Sequence, residues 1–266
     1  MNTLTLSVNK KSVDGIALEL VTESILPWEV AEELERDVRN YLVINCPEAG
    51  KLEEVLATEG YDFTSIKSLK LTGEINSIDF FLMKTKMDNL EALNLADVTI
   101  MAYEKEQEDW IEPIANVKDC IPALALQNKT SLNTIVLPKK LVEIGPNAFS
   151  GTYLKGHLVI PEGTVLIGGQ AFADIPTLNA QIVFPSTLRV IEGDAFYNTT
   201  VRGELHLPDK LRYIGGESFK RTSISGNIHL PDSLEFIGGA AFQSCQGLTG
   251  SLIIPERIKE IYETSL

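Results

Sequence analysis

The sequence predicts an α/β fold that leans to β: a solenoid of short parallel strands, preceded by a helical N-terminal cap region. Three observations carry this prediction. Prolines recur every 23 or 24 residues in the second half of the chain. An isoleucine stands six residues after each of these prolines, and a phenylalanine follows eleven residues after nearly all of them. Such registered columns indicate repeated units, which stack because one unit cannot bury its own apolar face.

Three columns of residues set the length of the repeat. The prolines are Pro138, Pro161, Pro185, Pro208, Pro231 and Pro255. The isoleucines are Ile144, Ile167, Ile191, Ile214, Ile237 and Ile261. The phenylalanines are Phe149, Phe172, Phe196, Phe219 and Phe242, each preceded by alanine or serine. We expect the rings to pack on the back of the coil, with the small residue leaving room for them. Leu126 extends this column by one earlier turn.

Each proline follows a short alternating segment. In the first unit, apolar Ile135 and Leu137 stand three and one residues before Pro138. Spacing of two predicts a short strand with one face inward, and proline ends the strand because it cannot donate a ladder hydrogen bond. A loop then leads to the inward isoleucine. Glycines such as Gly168 and Gly215 follow, and we expect them to supply the positive φ of a tight corner.

Residues 1–45 are predicted to form a strand hairpin followed by a helix. The segment LTLSVNKKSVDGIALELV resembles two strands that turn at residues 9–11 or 13–15. The segment PWEVAEELERDVRNYLV has apolar residues near helical spacing, with a charged opposite face. Residues 1–45 are either a separate small domain or part of the cap.

Residues 46–120 are predicted to contain capping and degenerate repeats. The tripeptides LKL at 69–71 and LNL at 93–95 lie 24 residues apart, which matches the repeat length without its proline or phenylalanine. Between them, the pattern predicts a helix capped by Asn76 or Ser77. Helices suit capping turns, which must close the end of the core. The regular repeats then occupy residues 121–266.

An acidic insertion at residues 101–120 interrupts the repeat and contains Trp110. It is either a solvated insertion loop or a binding loop, since loops on a rigid scaffold often carry recognition. Under the second interpretation Trp110 is the candidate contact residue.

Charge and composition exclude several classes of protein. The formal net charge is −14, whereas nucleic-acid-binding proteins need a basic face. No apolar stretch is long enough to cross a bilayer, and no leader is visible at the N-terminus. Three widely spaced cysteines, Cys46, Cys120 and Cys245, predict free thiols that are mostly buried.

The outward strand positions, two and four residues before each proline, are the candidate ligand-binding face. The candidate residues are Val136, His157, Val159, Gln181, Val183, Glu204, His206, Asn227 and His229. We expect the valines to form an exposed apolar stripe that passes into a patch of histidine, glutamate and asparagine. These residues are either ordinary solvated strand residues or a ligand-contacting face. Neighbouring side chains of a flat ladder point in parallel, so we expect no metal site, and no catalytic motif is present.

The repeat units are similar to those of a known family. The segments PKKLVEIGPNAF, PSTLRVIEGDAF, PDKLRYIGGESF and PDSLEFIGGAAF resemble the BspA-like leucine-rich repeats of surface proteins from gut and oral Bacteroidetes. The resemblance covers residues 121–266 and extends more loosely to residues 50–100. It implies a non-enzymatic extracellular or cell-surface protein, without a cofactor, that binds host or microbial protein or glycan.

Two functional hypotheses of different classes follow. The first is a surface-exposed or secreted binding module, active in adhesion or recognition. The alternative is a structural spacer domain of a longer surface protein, and an enzyme is a distant third. Leu266 falls in the phenylalanine column, and an uncapped end of the coil predicts weak end-to-end self-association.

Overall fold

The computed structural model describes residues 4–7, 22–25, 41–105, 112–249 and 253–259, in a chain that divides into two units, 1–38 and 39–266. In the first unit, β1 (Leu4–Ser7) pairs antiparallel with β2 (Thr22–Ile25). The first of these strands lies within the segment predicted to form a hairpin, whereas the second follows that segment, and the hairpin itself stays a prediction. The predicted turn lies outside the described residues, as does the predicted helix up to residue 40.

The second unit begins with a four-stranded parallel sheet. Its strands, in order, are β3 (Leu42–Cys46), β4 (Ser68–Ile75), β5 (Ala92–Ile100) and β7 (Thr134–Val136). Leu69 pairs with Leu93 in register, as their spacing predicted. The first strand was not predicted: Leu42 and Val43 pair with β4 instead of ending a helix. The predicted domain boundaries after residues 45 and 120 stay predictions.

Two short helices connect these strands, α1 (Leu52–Thr58) and α2 (Ser77–Lys86). The predicted helix α2 is confirmed, and Asn76 caps it by accepting a hydrogen bond from the backbone N–H of Ile78 at 2.9 Å. Asp79 completes a capping box by accepting the Asn76 backbone N–H. The same buried carboxylate also accepts the Leu52 N–H at 2.9 Å, which joins the starts of both helices.

The largest sheet among the described residues is the ladder at the isoleucine column. Its six parallel strands are β6 (Cys120–Ile121), β8 (Glu143–Ile144), β10 (Leu166–Ile167), β12 (Val190–Ile191), β14 (Tyr213–Ile214) and β16 (Phe236–Ile237). Isoleucine pairs with isoleucine at every step from Ile121 to Ile237. The predicted loop between proline and isoleucine is present, as at residues 139–142, but the two-residue strand to which it leads was not predicted. A strand of two residues is too short to show a period of two in the sequence.

Among the described residues, the predicted strand before the proline forms in the first turns only. Besides β7, these strands are β9 (Leu158–Val159) and β11 (Ile182–Val183). In later turns the strands lie earlier in the repeat, further from the proline. They are β13 (Arg202–Gly203), β15 (Ser223–Gly226) and β17 (Gly247–Leu248). From residue 41 onward the described chain is a parallel β-solenoid of about eight turns with two α-helices.

The phenylalanine column forms the core of the solenoid, as predicted. The rings from Phe149 to Phe242 stack along the axis, with centroids 5.2–5.5 Å apart and interplanar angles of 2–10°. All five are buried. Phe184 lies edge-on against Phe196, with their centroids 5.8 Å apart. Leu126, also fully buried, extends the column to the preceding turn. A continuous apolar core of this kind couples each turn to its neighbours.

Glycine directly follows four of the isoleucines, at Gly145, Gly168, Gly215 and Gly238, where it serves close approach; the prediction of positive φ there was wrong. A Cβ added at Gly215 would lie 2.3 Å from the Gly193 nitrogen, and one at Gly168 would lie 2.7 Å from the Pro146 nitrogen. The left-handed residues of each turn come two residues before and two after the phenylalanine. The residues before it are Asn147, Gln170, Asp194, Glu217 and Ala240. Asparagine and aspartate tolerate this conformation better than most residues.

The two ends of the acidic insertion are held against the solenoid. Tyr103 and Asn116 exchange backbone hydrogen bonds of 2.9 and 3.0 Å across the base of the loop. Glu112 forms an ion pair with Lys84, with an Nζ–Oε1 distance of 2.6 Å. Cys120, the last residue of the predicted insertion, is a buried member of the six-stranded ladder. Trp110 lies outside the described residues, so its role stays a prediction.

The C-terminal residues 260–266 also lie outside the described residues. They include Leu266, on which the predicted end-to-end self-association depends. That association therefore stays a prediction.

Candidate binding face

Most of the predicted polar residues are exposed, on three of the four turns that carry them, and Gln181 on the remaining turn is half-buried. His157, Glu204, His206, Asn227 and His229 are all exposed. The apolar residues that flank His206 point inward, since Leu205 and Leu207 are both buried. The alternation predicted from the sequence therefore holds around His206.

The predicted apolar stripe beside this row is not exposed. Val136 is 7% exposed and Val183 is 5% exposed, while Val159 is half-buried. Adjacent strands of a ladder lie about 4.8 Å apart, so neighbouring turns cover a short β-branched side chain from both sides. Longer histidine and glutamate side chains reach beyond this cover. Val136 and Val183 thus belong to the packing of the turns, and the expectation of an exposed valine stripe was wrong.

Glycines of the adjacent turn position two of the face residues. Gly203 and Gly226 have positive φ values of 84° and 80°. A Cβ added at Gly203 would lie 2.7 Å from Nε2 of Gln181, and one at Gly226 would lie 2.9 Å from Cγ of Glu204. The half-buried Gln181 and the exposed Glu204 therefore rest against the backbone of the next turn. Recurrent glycines five residues before the prolines were the signal for this arrangement, which the sequence reasoning missed.

The electrostatics of the face are those of a solvated polar surface. Nε2 of His206 and Oε2 of Glu204 are 4.0 Å apart, and their side chains are 54% and 62% exposed. Among the described residues, no three or more His, Cys, Asp or Glu side chains are placed to hold a metal ion. The face can donate and accept hydrogen bonds and pair with charges of a partner. Exposed pairs of this kind add little to stability, so these residues are free to serve recognition.

The three cysteines do not contribute to this face. Cys46, Cys120 and Cys245 are free and buried, as predicted. Burial raises the pKa of the Cys46 thiol to about 11, and the nearby Asp79 carboxylate raises it further. Burial, together with Glu143, raises the pKa of the Cys120 thiol to about 11 as well. A thiol is nucleophilic only as the thiolate, so these groups are protonated and unreactive at neutral pH.

We expect the folded protein to resist alkylation by iodoacetamide at pH 8. With a pKa of about 11, only about one thiol in a thousand is ionised at that pH, and burial also blocks access. Intact-mass spectrometry should therefore show little carbamidomethylation within minutes. In guanidinium chloride, which unfolds the chain, all three thiols should react. Rapid modification of Cys46 or Cys120 in the folded protein would contradict their assignment to the core.

Together, the stacked rings, the parallel ladders and the exposed polar row define a β-solenoid repeat protein with a displayed lateral face. The family model of the BspA type leucine-rich repeat region matches residues 119–249 and 218–266, with six copies. The chain belongs to this family. No described helix is long and apolar enough to span a membrane.

Two crystal structures of other proteins are similar to this chain. A leucine-rich repeat protein from Bacteroides ovatus ATCC 8483 is 21% identical, with a TM-score of 0.46, over 79% of this chain and 57% of that one. A leucine rich cell surface protein from Faecalibacterium prausnitzii A2-165 is 17% identical, with a TM-score of 0.43, over 84% of this chain and 73% of that one. The chain thus spans little more than half of the Bacteroides protein. A comparison with curated proteins gives no match.

Proposed function

We propose that the chain is a non-enzymatic recognition module, extracellular or on the cell surface, that binds a host or microbial protein or glycan through its exposed polar face. The face consists of His157, Gln181, Glu204, His206, Asn227 and His229. One observation carries the proposal. The buried isoleucine and phenylalanine columns repeat the same residue from turn to turn, whereas the position four residues before each proline differs in four successive turns: His157, Gln181, Glu204 and Asn227. Residues that packing does not determine are available for binding on a rigid scaffold.

The family supports both the proposed recognition role and the choice of the lateral face as the binding surface. Leucine-rich repeat solenoids present extended lateral surfaces, because each turn adds the same strand positions to one side. Imidazole, carboxylate and amide groups in one row supply both donors and acceptors, which suits the hydroxyl groups of a glycan or the polar side chains of a protein. The buried Val136 and Val183 hold the turns together beneath this face and take no part in the proposed contact.

The test is a screen of the purified chain against arrays of glycans and of host and microbial proteins. Changing Glu204, His206 and His229 together to alanine should weaken any detected binding at least tenfold, because truncating central contacts typically costs more than about 1 kcal/mol. Because all three side chains are exposed, we expect the free energy of unfolding to change by less than about 0.5 kcal/mol per site. The matched control changes one acid and two bases elsewhere, Glu59, Lys67 and Lys118, to alanine.

The outcomes separate the two classes of function. Binding that survives the triple change in full excludes the polar face. A wild-type chain that binds nothing on either array supports the structural spacer instead. Turnover in a broad hydrolase screen, lost when a single acidic residue is changed, would identify an enzyme and overturn the proposal.

A further inference from the structure

A second exposed column lies on the six-stranded ladder, away from the polar face. In the described turns, it consists of the residue immediately before the isoleucine. In four successive turns this residue is large and apolar and is only partly covered: Leu166, Val190, Tyr213 and Phe236. The rings of Tyr213 and Phe236 stack with their centroids 4.7 Å apart and an interplanar angle of 6°. Tyr213 remains 37% exposed. The ladder therefore presents an apolar stripe that ends in an aromatic pair.

A groove of about 630 Å³ runs beside this stripe. The lining residues are Pro146, Asn147, Gly169, Gln170, Val190, Glu192, Gly193, Asp194 and Tyr213. Two residues of the apolar stripe, Val190 and Tyr213, line the groove, and Gly169 and Gly193 contribute no side chain to it. This is the form of a surface that accepts a side chain of a partner.

The charged residues that line the groove are acidic. Of its nine lining residues, all within the described part of the chain, Glu192 and Asp194 are charged and both are acidic. Oε2 of Glu192 accepts the Gly169 backbone N–H at 2.7 Å, which fixes the position of the carboxylate. Burial raises the pKa of Asp194, and the carboxylates of Glu217 and Asp174 raise it further, against the opposing effect of Lys220.

The nearby bases are engaged elsewhere. Nζ of Lys220 lies 2.9 Å from Oε2 of Glu217. Nε of Arg212 lies 3.9 Å from Oε1 of Glu235, and Arg189 donates to the Thr187 carbonyl oxygen at 2.9 Å. The carboxylates of the groove therefore attract cations beside an apolar wall.

We propose that this groove binds a basic segment of a partner protein, with an arginine or lysine between Glu192 and Asp194 and an apolar neighbour against Tyr213 and Val190. The guanidinium group of arginine fits best, because it pairs with carboxylates and stacks on aromatic rings. A second copy of this chain is disfavoured by its net charge of −14. The site uses none of the residues of the polar face, so either surface can function without the other.

Fluorescence anisotropy with a defined peptide tests the proposal. The probe is a fluorescein-labelled hexapeptide of alternating arginine and leucine, measured at physiological salt. We expect Tyr213→Ala to weaken its binding about tenfold, and Tyr213→Phe to retain most of it. The double change Glu192→Gln and Asp194→Asn should weaken binding at least as much. These two changes preserve the acceptor for the Gly169 N–H and a side chain that tolerates the left-handed backbone.

Three controls make the result specific. Glu48→Gln with Glu59→Gln removes the same charge from exposed positions on another surface and should leave the affinity unchanged. Peptides that alternate glutamate with leucine, or arginine with serine, should bind at least tenfold more weakly. If the control double variant lost as much peptide affinity as Glu192→Gln with Asp194→Asn, the peptide would be responding only to the net charge of the protein. That result would overturn the proposal. Unchanged peptide binding in Tyr213→Ala would also overturn the proposal. So would a wild-type protein that does not bind the peptide but binds array glycans, with that glycan binding lost in Tyr213→Ala.

The polar-face variant keeps the two proposals distinguishable. The Glu204, His206 and His229 triple alanine variant should bind the peptide as the wild type does. Loss of peptide binding in that variant would move the contact to the polar face and contradict the groove as its site.

Discussion

Replacing Phe196 with alanine is expected to lower the free energy of unfolding by about 4 kcal/mol. The ring lies between Phe172 and Phe219, with centroid distances of 5.4 and 5.3 Å, and meets the edge of Phe184. Its exposure is 0%. Truncation therefore leaves a cavity in the middle of a stack that rigid backbone turns prevent from closing. Urea denaturation followed by far-ultraviolet circular dichroism measures the loss.

Phe236→Ala is the matched control for this change. Its ring is also stacked on an aromatic neighbour, Tyr213, but it lies on the outer side of the ladder and is only half-buried. We expect a loss of about 1 kcal/mol, since a partly exposed ring has less apolar surface to lose. Equal losses for Phe196→Ala and Phe236→Ala would mean that the phenylalanine column is not the core of the solenoid.

Gly215→Ala is expected to destabilise the protein by about 3 kcal/mol, although it adds a single methyl group. The new Cβ would lie 2.3 Å from the Gly193 nitrogen and 2.5 Å from the Glu192 carbonyl carbon. Both atoms belong to the backbone of the preceding turn, which is held in the ladder by the hydrogen bond from the Gly215 N–H to the Ile191 oxygen. The turns must therefore separate locally to admit the methyl group.

Gly169→Ala is the matched control for Gly215→Ala, because Gly169 also belongs to a pair of glycines that follows an isoleucine. The nearest atom to its added Cβ is the Gly193 oxygen at 3.4 Å, an ordinary contact. We expect a change within about 0.5 kcal/mol of zero. Thermal and urea unfolding of the two variants compare them directly. If Gly215→Ala proved as stable as Gly169→Ala, the close approach of the turns at this column would be refuted.

The glycine pair shows where reasoning from the sequence was incomplete. The recurrence of glycine after the isoleucine was visible, but it predicted positive φ, whereas the structure places that conformation at Asp194, Glu217 and their equivalents. A glycine required for close approach and one required for positive φ look identical in a sequence. Only the distance to the next turn separates them, and that distance is a property of the stacked coil.

The candidate binding face was predicted in part. The exposed positions of His206 and His229 followed from period-two spacing, because the residues that flank them are apolar and are expected to point inward. The burial of Val136 and Val183 did not follow, since it depends on how closely the neighbouring turns approach.

The sequence by itself determined the solenoid, its repeat length, the stacked phenylalanine core and the capped helix α2. These features depend on registered columns and on local capping, both of which are written in residue types along the chain. The tertiary structure alone decided that the ladder runs through two-residue strands at the isoleucines, and that Tyr213 and Glu192 border one groove. Strands this short have no periodicity of their own, and residues 21 positions apart become neighbours only when successive turns stack.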